Sequence, residues 1–293
     1  METRWMYVTS EELEKLRDEV KGVCVIPFGA IEKHGLHLPL GTDMIKGSYV
    51  AYEASKLEPV CIFPDIPFGD MSCGHPSTPA GTISLPMETE MLLLEQLCDQ
   101  IARHGFRKIL ILNSHGGNYA MLTAFLEKLG NKKKDYVVAV TVNRLRTFSK
   151  MAEYLEENGS GSIPELTPED EQVVLKYYRN KVPTGHGCMA ETAYIMGCAP
   201  ESVKLNRLGI ISGKCRHETD YFKEADIEIR DDGWFEDYPD SYASEVDPVD
   251  CNERIGKALI RFECKRLANA YKVFKEDENL LKWHTARQAG WNT

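Results

Sequence analysis

Short runs of apolar, β-branched residues alternate with longer amphipathic stretches through the first half of the chain. Four such runs predict buried strands, at residues 23–28, 60–64, 108–112 and 136–142. The stretches between them carry apolar residues at helical spacing, as in residues 89–104, which Gly105 ends. This alternation predicts an α/β fold of three layers, in which helices flank a mostly parallel sheet.

The second half of the chain has a different pattern. Residues 143–184 are polar and partly rich in Gly and Ser, which predicts an insertion or flap over the sheet, with one helix beginning at Pro168. Residues 224–247 are acidic and aromatic and predict a surface segment. A long C-terminal helix is predicted over residues 248–275. Because there is no repeat or linker, we expect a single domain over residues 1–293.

The composition is that of a soluble globular protein and limits its partners. The chain has 35 Lys and Arg against 45 Asp and Glu, a formal charge of −10, so we expect no nucleic-acid partner, because such binding neutralises phosphates with basic residues. No apolar run could span a bilayer and the N-terminus has no signal-peptide core, which predicts a cytoplasmic protein without a membrane partner. The nine cysteines include no CxxC pair, which predicts reduced thiols.

Two loops with His, Glu and Asp residues directly follow predicted strands. The segment GAIEKHGLHLPLGTD contains Glu32, His34 and Asp43, and NSHGGN places His115 at the end of the third strand. Ligands of open α/β sheets bind beyond the carboxyl ends of the strands, so this is where a site is expected. Glu32 and His34 are two residues apart, hence on one side of an extended segment. Asp43 has two oxygens and could bridge two cations at the same point.

A third segment and two further residues complete the candidate site. GHGCMAETA contains His186 and Glu191. Imidazole and carboxylate ligands suit zinc, manganese or iron, and the absence of phosphate-binding glycine motifs disfavours a nucleotide-binding protein. Substrate contacts are predicted for His75, in the HPSTPAGTISL loop, and for Asn118. The alternatives are that His75 holds its own loop and that Asn118 begins the following helix.

The segments IPFGAIEKHGLHLPLGTD, HPSTPAGTISL, ILILNSHGGN and GHGCMAET resemble, in order and spacing, signature segments of the creatininase (creatinine amidohydrolase) family over roughly residues 20–270. The resemblance implies a single α/β domain, a metal-dependent hydrolase with two divalent ions (zinc, manganese or iron), and often a hexamer, so we expect a homo-oligomer. It implies proton transfer by His186 as the catalytic residue. The implied metal ligands are Glu32, His34, Asp43 as the bridge, His115 and Glu191.

Two differences from creatininase itself affect the predicted second metal site and the expected substrate. Creatininase has a glutamate ligand two residues after the histidine matched by His115, and that place is Gly117 here, so Glu191 is expected to complete the second metal site. Creatininase also closes its pocket with tryptophans in the middle of its chain. No tryptophan lies between His115 and His186 in this sequence, so creatinine is not the expected substrate.

These residues predict a hydrolase in which water activated by metal ions attacks the carbonyl of a small polar substrate, with a cyclic amide or formamide preferred. Two alternatives use the same chemistry: ring opening of an oxidised inositol (a diketone), and a creatininase-like peptidase. A non-catalytic metal or metabolite binder is disfavoured, because a degenerate relative would normally have lost some of the ligands. Residues 143–184 are expected to supply pocket walls and so to determine the substrate.

Overall fold

A computed structural model of the chain describes residues 1–69, 79–141, 146–180, 185–224 and 233–289. Within these ranges four strands form one sheet in the order β2-β1-β3-β4. The strands are β1 (Val23–Phe28), β2 (Cys61–Ile62), β3 (Lys108–Asn113) and β4 (Val137–Val140). Each pairing is parallel, so the carboxyl ends of all four strands meet at one edge. The predicted α/β class is confirmed.

Helices surround this sheet and continue beyond it. They are α1 (Ser10–Glu19), α2 (Thr42–Ser55), α3 (Met87–Arg103), α4 (Asn118–Gly130), α5 (Arg146–Asn158), α6 (Pro168–Arg179), α7 (Met189–Cys198), α8 (Trp234–Asp237), α9 (Glu253–Glu276) and α10 (Asn279–Ala289). None of the helices among the described residues combines the length and apolarity needed to cross a membrane.

Two apolar clusters cover the two faces of the sheet. Cys24, Ile26 and Phe28 of β1 belong to a cluster that includes side chains of α1, α3 and α4. Val23 and Val25 point the other way, into a cluster with side chains of α2, α5, α6, α7 and α9. Alternation along the strand thus divides its side chains between the two faces. The result is the predicted three-layer arrangement.

Helix α2 begins earlier than the amphipathic pattern predicts. The pattern indicates a helix from about residue 48, whereas α2 begins at Thr42. Its first residues are buried whether they are polar or apolar, including Asp43 and Lys46, so no polar face marks them as helical. This early start places the Asp43 carboxylate in the first turn, where the helix dipole favours negative charge.

The described part of the 143–184 segment packs into the core. Phe148 of α5 and Val174 of α6 are buried in the same apolar cluster as α9. Tyr177 is also buried, and its hydroxyl donates a hydrogen bond to the carbonyl of Asp247 at 2.7 Å. These side chains stabilise the fold, and whether the segment acts as a flap over the sheet stays a prediction. The description of the segment as an insertion stays a prediction.

One part of the 224–247 segment differs from its prediction, and residues 225–232 lie outside the described residues. Residues 241–244 are buried, so the prediction of a surface segment is wrong for them. Tyr242 fills the space beside two glycine-containing turns, because a Cβ at Gly35 or Gly187 would meet its ring. The long helix is α9, and it begins at Glu253, where Asn252 accepts hydrogen bonds from two backbone amides of the first turn.

Glycines allow α7 and α9 to approach each other closely. A Cβ on Gly256 of α9 would lie 2.4 Å from the carbonyl oxygen of Ala193 and 2.4 Å from the amide of Gly197. Gly256→Ala is therefore expected to lower the free energy of unfolding by about 1–3 kcal/mol, measured by urea denaturation. Gly130→Ala is the matched control, because Gly130 is also helical and a Cβ there would meet nothing within 4 Å. Equal stabilities of the two variants would contradict this packing.

Candidate metal centre

Five side chains predicted as metal ligands converge at the carboxyl edge of the sheet. Glu32 and His34 follow β1, and His115 follows β3. Asp43 and Glu191 lie in the first turns of α2 and α7. All five are buried, with exposed fractions between 1% and 7%. The fold thus brings together residues from three separate segments into one water-poor site.

Three of these residues form what we call the first position: Glu32, Asp43 and His115. Nδ1 of His115 lies 2.9 Å from Oε1 of Glu32 and 2.9 Å from Oδ2 of Asp43. One possible ligand atom from each residue lies within 4.8 Å of the others. Ligands about 2.0–2.2 Å from a shared zinc ion are separated by about 3–4 Å. The first position therefore has the donor types and spacing that a divalent ion requires.

A second group shares the same aspartate, and we call it the second position: His34, Asp43 and Glu191. Nε2 of His34 lies 3.8 Å from Oδ1 of Asp43 and 3.5 Å from Oε2 of Glu191. Asp43 thus presents Oδ2 to the first position and Oδ1 to the second. This is the arrangement of a carboxylate that bridges two neighbouring cationic positions.

Two buried atoms of these groups support a cation at this centre. Oε1 of Glu32 and Nε2 of His34 are shielded from solvent and make no hydrogen bond of acceptable geometry, although Oε1 lies 2.9 Å from Nδ1 of His115, which is itself a possible ligand. A buried polar atom without a partner costs about 1–3 kcal/mol. Atoms that ligate a metal ion point at the ion instead of at a hydrogen-bonding group, so the cost is removed when the ion binds. The donor set therefore fits a divalent metal.

Lys46 lies inside the centre, and the sequence reasoning missed it. It is 7% exposed and lies one helical turn after Asp43 on α2. Its Nζ is 2.8 Å from Oδ1 of Asp43 and 2.7 Å from Oε1 of Glu191. The spacing of three residues from Asp43 is the signal that could have found it. That signal applies only if α2 is known to begin before Asp43.

The charged groups shift one another's pKa values. Burial raises the pKa of Glu32. Burial also opposes ionisation of Asp43 and Glu191, but Lys46 and the neighbouring histidines together outweigh it, holding the pKa of Asp43 well below its usual range and lowering that of Glu191 to about 2. For His115, burial is outweighed by Glu32 and Asp43, which raise its pKa well above the ordinary value. The same negative potential attracts a metal cation, with which a proton on His115 competes.

His186 lies beside the centre with a defined ring orientation. Its ring stacks on that of His34, with centroids 3.9 Å apart and planes at 21°. Its Nε2 is 2.7 Å from the carbonyl of Lys33, which can only accept, so Nε2 carries the hydrogen. Burial lowers the pKa of His186, which favours the neutral ring. The ring of Trp234 is nearly perpendicular to that of His186, with centroids 5.3 Å apart, so an aromatic group lies at the site although none was predicted.

His37 holds the turn that carries His186. Its Nε2 donates to the carbonyl of Gly187 at 3.0 Å and lies 3.1 Å from the hydroxyl of Thr192. Gly187 has φ +73°, a conformation that favours glycine, and a Cβ there would meet the ring of Tyr242 at 3.0 Å. His37 and Tyr242 therefore fix the turn from two sides.

Stability is expected to fall in mild acid because of His37. Burial lowers the pKa of His37 from 6.5 to about 4. Between these two pH values the unfolded chain therefore binds a proton on His37 that the folded chain does not. The stabilisation is complete above pH 6.5 and is lost as the pH falls through 4. Between pH 7 and pH 5 we expect a loss of about 2 kcal/mol, measured by urea denaturation of the metal-free protein.

A variant without this imidazole tests the assignment. His37→Asn is expected to show a smaller loss of unfolding free energy between pH 7 and pH 5 than the wild type. His217→Asn is the control, because the side chain of His217 is 65% exposed. A wild-type pH dependence in the His37 variant would contradict the assignment.

The two predicted substrate contacts have different outcomes. Asn118 is fully buried, and its Nδ2 donates to Oδ1 of Asn113 at 3.1 Å. That oxygen also accepts from the backbone amide of His115 at 3.2 Å. Asn118 therefore supports the turn that carries His115 and begins α4, and its contact with substrate stays a prediction. His75 lies outside the described residues.

Comparison with known families decides the classification. The profile of the Creatininase family, described as creatinine amidohydrolase, matches residues 6–270. The chain belongs to the creatininase family. Members of this family are metal-dependent hydrolases. The family prediction made from the four sequence segments is confirmed.

Two curated members of the creatininase family match part of the chain. Creatinine amidohydrolase from Pseudomonas putida is 27% identical over 99 residues, which are 33% of this chain and 38% of that protein. Mycofactocin precursor peptide peptidase from Mycobacterium tuberculosis is 34% identical over 121 residues, 38% of this chain and 47% of that protein. These matches therefore span less than half the length of each relative.

Solved creatininase-family structures share the fold over nearly the whole chain. A mutant creatininase of Zn-Zn type has a TM-score of 0.67 and 19% identity, with 94% of this chain and 100% of that chain covered. A structure titled creatininase Mn has a TM-score of 0.67 and 18% identity, again with 94% of this chain and 100% of that chain covered. A putative creatinine amidohydrolase from Bacteroides fragilis has a TM-score of 0.64 and 21% identity, with 95% and 99% covered.

Proposed function

We propose that this creatininase-family chain is a metal-dependent hydrolase that attacks the carbonyl of a small polar substrate, with a cyclic amide or formamide preferred. The observation that carries the proposal is the first position, where Glu32, Asp43 and His115 are all buried and offer possible ligand atoms within 4.8 Å of one another. A divalent ion held there supplies Lewis acidity, which lowers the pKa of a water towards about 7 and polarises a carbonyl. The donors suit zinc, manganese or iron.

His186 is the residue proposed to move the proton. Its hydrogen bond to the Lys33 carbonyl and its stacking on His34 hold the imidazole beside the ligand cluster. The neutral ring, favoured by burial, has a free nitrogen at Nδ1 that can accept a proton. His186 would take a proton as water attacks and deliver it to the departing nitrogen. Trp234, whose ring lies nearly perpendicular to that of His186, supplies an apolar surface near the reacting groups.

A peptidase is the second candidate, supported by the match to mycofactocin precursor peptide peptidase. Both candidates cleave a carbon–nitrogen bond at a carbonyl, so the groups described above serve either reaction. The difference is in the size of the substrate that reaches the centre. A cytoplasmic homo-oligomer, as the sequence predicts, is compatible with either activity.

A substrate panel tests the proposed function. Purified protein loaded with zinc, manganese or iron would be assayed with cyclic amides, formamides, short peptides and inositol-derived diketones. We expect metal-dependent hydrolysis of a cyclic amide or formamide that chelation removes and metal restores. Turnover of peptides alone would favour the peptidase, and turnover of the diketone alone would favour ring opening. A metal-loaded protein that hydrolyses none of the four classes would refute the proposal.

A further inference from the structure

We propose that Lys46 takes the place of the second cation, so that the centre holds one divalent ion at the first position and one ammonium group. The inference rests on the proposed function for the ion at the first position. It departs from the two-ion centre predicted from the sequence. Lys46 contacts both carboxylates of the second position, Asp43 and Glu191, at 2.8 Å and 2.7 Å. Lys46 is itself buried, and a lysine is rarely buried unless it pairs with acidic groups, as Lys46 does here.

The oxygens that the second position offers already have partners. Oδ1 of Asp43 and Oε1 of Glu191 face Nζ of Lys46. The other oxygen of Glu191, Oε2, accepts a hydrogen bond from the backbone amide of Gly187 at 2.7 Å. An ion beside His34 would therefore share both carboxylates with the ammonium group at close range. At the first position Oε1 of Glu32 makes no hydrogen bond, and the nitrogen that lies 2.9 Å from it, Nδ1 of His115, is itself a possible ligand. At the second position the atom without a partner is Nε2 of His34, and one imidazole nitrogen does not replace the carboxylates that Lys46 occupies.

The charges of the buried groups favour one divalent ion. The three carboxylates, Glu32, Asp43 and Glu191, bring three negative charges, which one ammonium group and one divalent ion balance. A second divalent ion would leave two uncompensated positive charges among side chains that are at most 7% exposed. Buried charge without compensation is strongly unfavourable. Without Lys46 the same carboxylates would accommodate a second ion far more readily.

The neighbouring loop offers no alternative acid. The turn after β3, from Asn113 to Asn118, contains no carboxylate. Glu191 is therefore the acid that would join His34 and Asp43 at the second position, and it is held by Lys46. In this arrangement Lys46 is a positioning residue: it keeps Oδ1 of Asp43 turned away from the first position while Oδ2 faces it.

Metal stoichiometry tests the inference directly. The full chain would be incubated with excess Mn²⁺, desalted and analysed for manganese per chain by mass spectrometry, and by electron paramagnetic resonance for exchange-coupled ion pairs. We expect one ion per chain and an uncoupled signal for the wild type and for Lys46→Arg. Lys46→Met removes the charge while keeping an unbranched side chain, and we expect about two ions per chain and a coupled signal.

A matched control shows whether the change in metal content is specific to Lys46 or follows from replacing any helical lysine by methionine. Lys257 also lies on a helix and contacts a carboxylate, Oε2 of Glu253, at 3.0 Å, but its side chain is 59% exposed. Lys257→Met is expected to bind one ion. Two coupled ions in the wild type would overturn the inference and leave the proposed hydrolase intact. A folded Lys46→Met protein that still binds one ion would also overturn it.

A measurement on the wild type alone covers the case in which Lys46→Met does not fold. Anomalous diffraction from manganese-soaked crystals is expected to show one peak between Glu32, Asp43 and His115, with Nζ of Lys46 still between Asp43 and Glu191. A second peak near His34 would overturn the inference. A wild type that binds no manganese, zinc or iron would instead refute the proposed function.

Discussion

Asp43→Asn is expected to abolish hydrolysis and remove the bound metal together. Asp43 presents one oxygen to the first position, 2.9 Å from Nδ1 of His115, and the other to Lys46 at 2.8 Å. The amide removes the negative charge and replaces one acceptor with a donor. We expect kcat/KM to fall at least about 1,000-fold, which is about 4 kcal/mol of transition-state stabilisation. Metal analysis and kinetics on the same preparation measure both losses.

The stability of the Asp43 variant has to be measured separately. Breaking a buried ion pair costs about 3–5 kcal/mol, and Lys46 would lose one of its two partners. Circular dichroism and thermal unfolding would show whether the variant is folded. Asp99→Asn is the control, because Asp99 also pairs with a lysine, Lys134, but is 40% exposed. A folded Asp43→Asn protein with full metal content and full activity would refute the proposed centre.

His186→Gln is expected to lower kcat by about 100- to 10,000-fold while metal content stays at the wild-type level. Glutamine retains an N–H that can bond to the Lys33 carbonyl, so the turn is kept while proton transfer is lost. We expect KM to change much less than kcat, because the imidazole acts on the reacting atoms. Steady-state kinetics and metal analysis measure this separation.

The metal content of the His186 variant distinguishes two roles. Glu32, His34 and His186 also lie close enough together to hold an ion. If His186→Gln lost its metal along with its activity, His186 would be a ligand and the proton-transfer assignment would be wrong. His217→Gln is the control, since His217 is exposed and pairs with Asp220 on the surface. It is expected to leave kcat, KM and metal content unchanged.

The predicted secondary structure agrees with the observed elements where local signals are strong. The apolar run that predicts β1 coincides with Val23–Phe28, because a strand buried on both faces is apolar throughout. Thr9 followed three residues later by Glu12 is the sequence pattern of a capping box, and α1 has this cap, with Thr9 and Glu12 bonded reciprocally. The α2 helix begins before the amphipathic pattern because polar and apolar residues alike are buried near its start, including Thr42, Asp43 and Lys46. The burial of residues 241–244 depends on contacts distant in sequence and left no local pattern.

The sequence by itself determined the family, the α/β class and the identity of the candidate ligands. Glu32, His34 and His115 could be assigned because parallel strands bring their following loops to one edge, so position along the chain predicts proximity in space. The type of side chain then limits the chemistry to metal binding and proton transfer. The α/β class and the nearness of these loops follow from local patterns and one general property of parallel sheets, whereas the family and the full ligand set were implied by the resemblance of four segments to the creatininase family.

Only the tertiary structure decided the place of Lys46. Helices α2 and α7 are far apart in sequence, and their packing alone puts Nζ of Lys46 between Asp43 and Glu191. A lysine is usually a solvated surface residue, and the neighbouring residues in the sequence do not indicate that Lys46 is buried with two carboxylates. Electrostatic effects depend on distance and on exclusion of water, which are properties of the folded chain. The charge balance of the centre is therefore a consequence of packing.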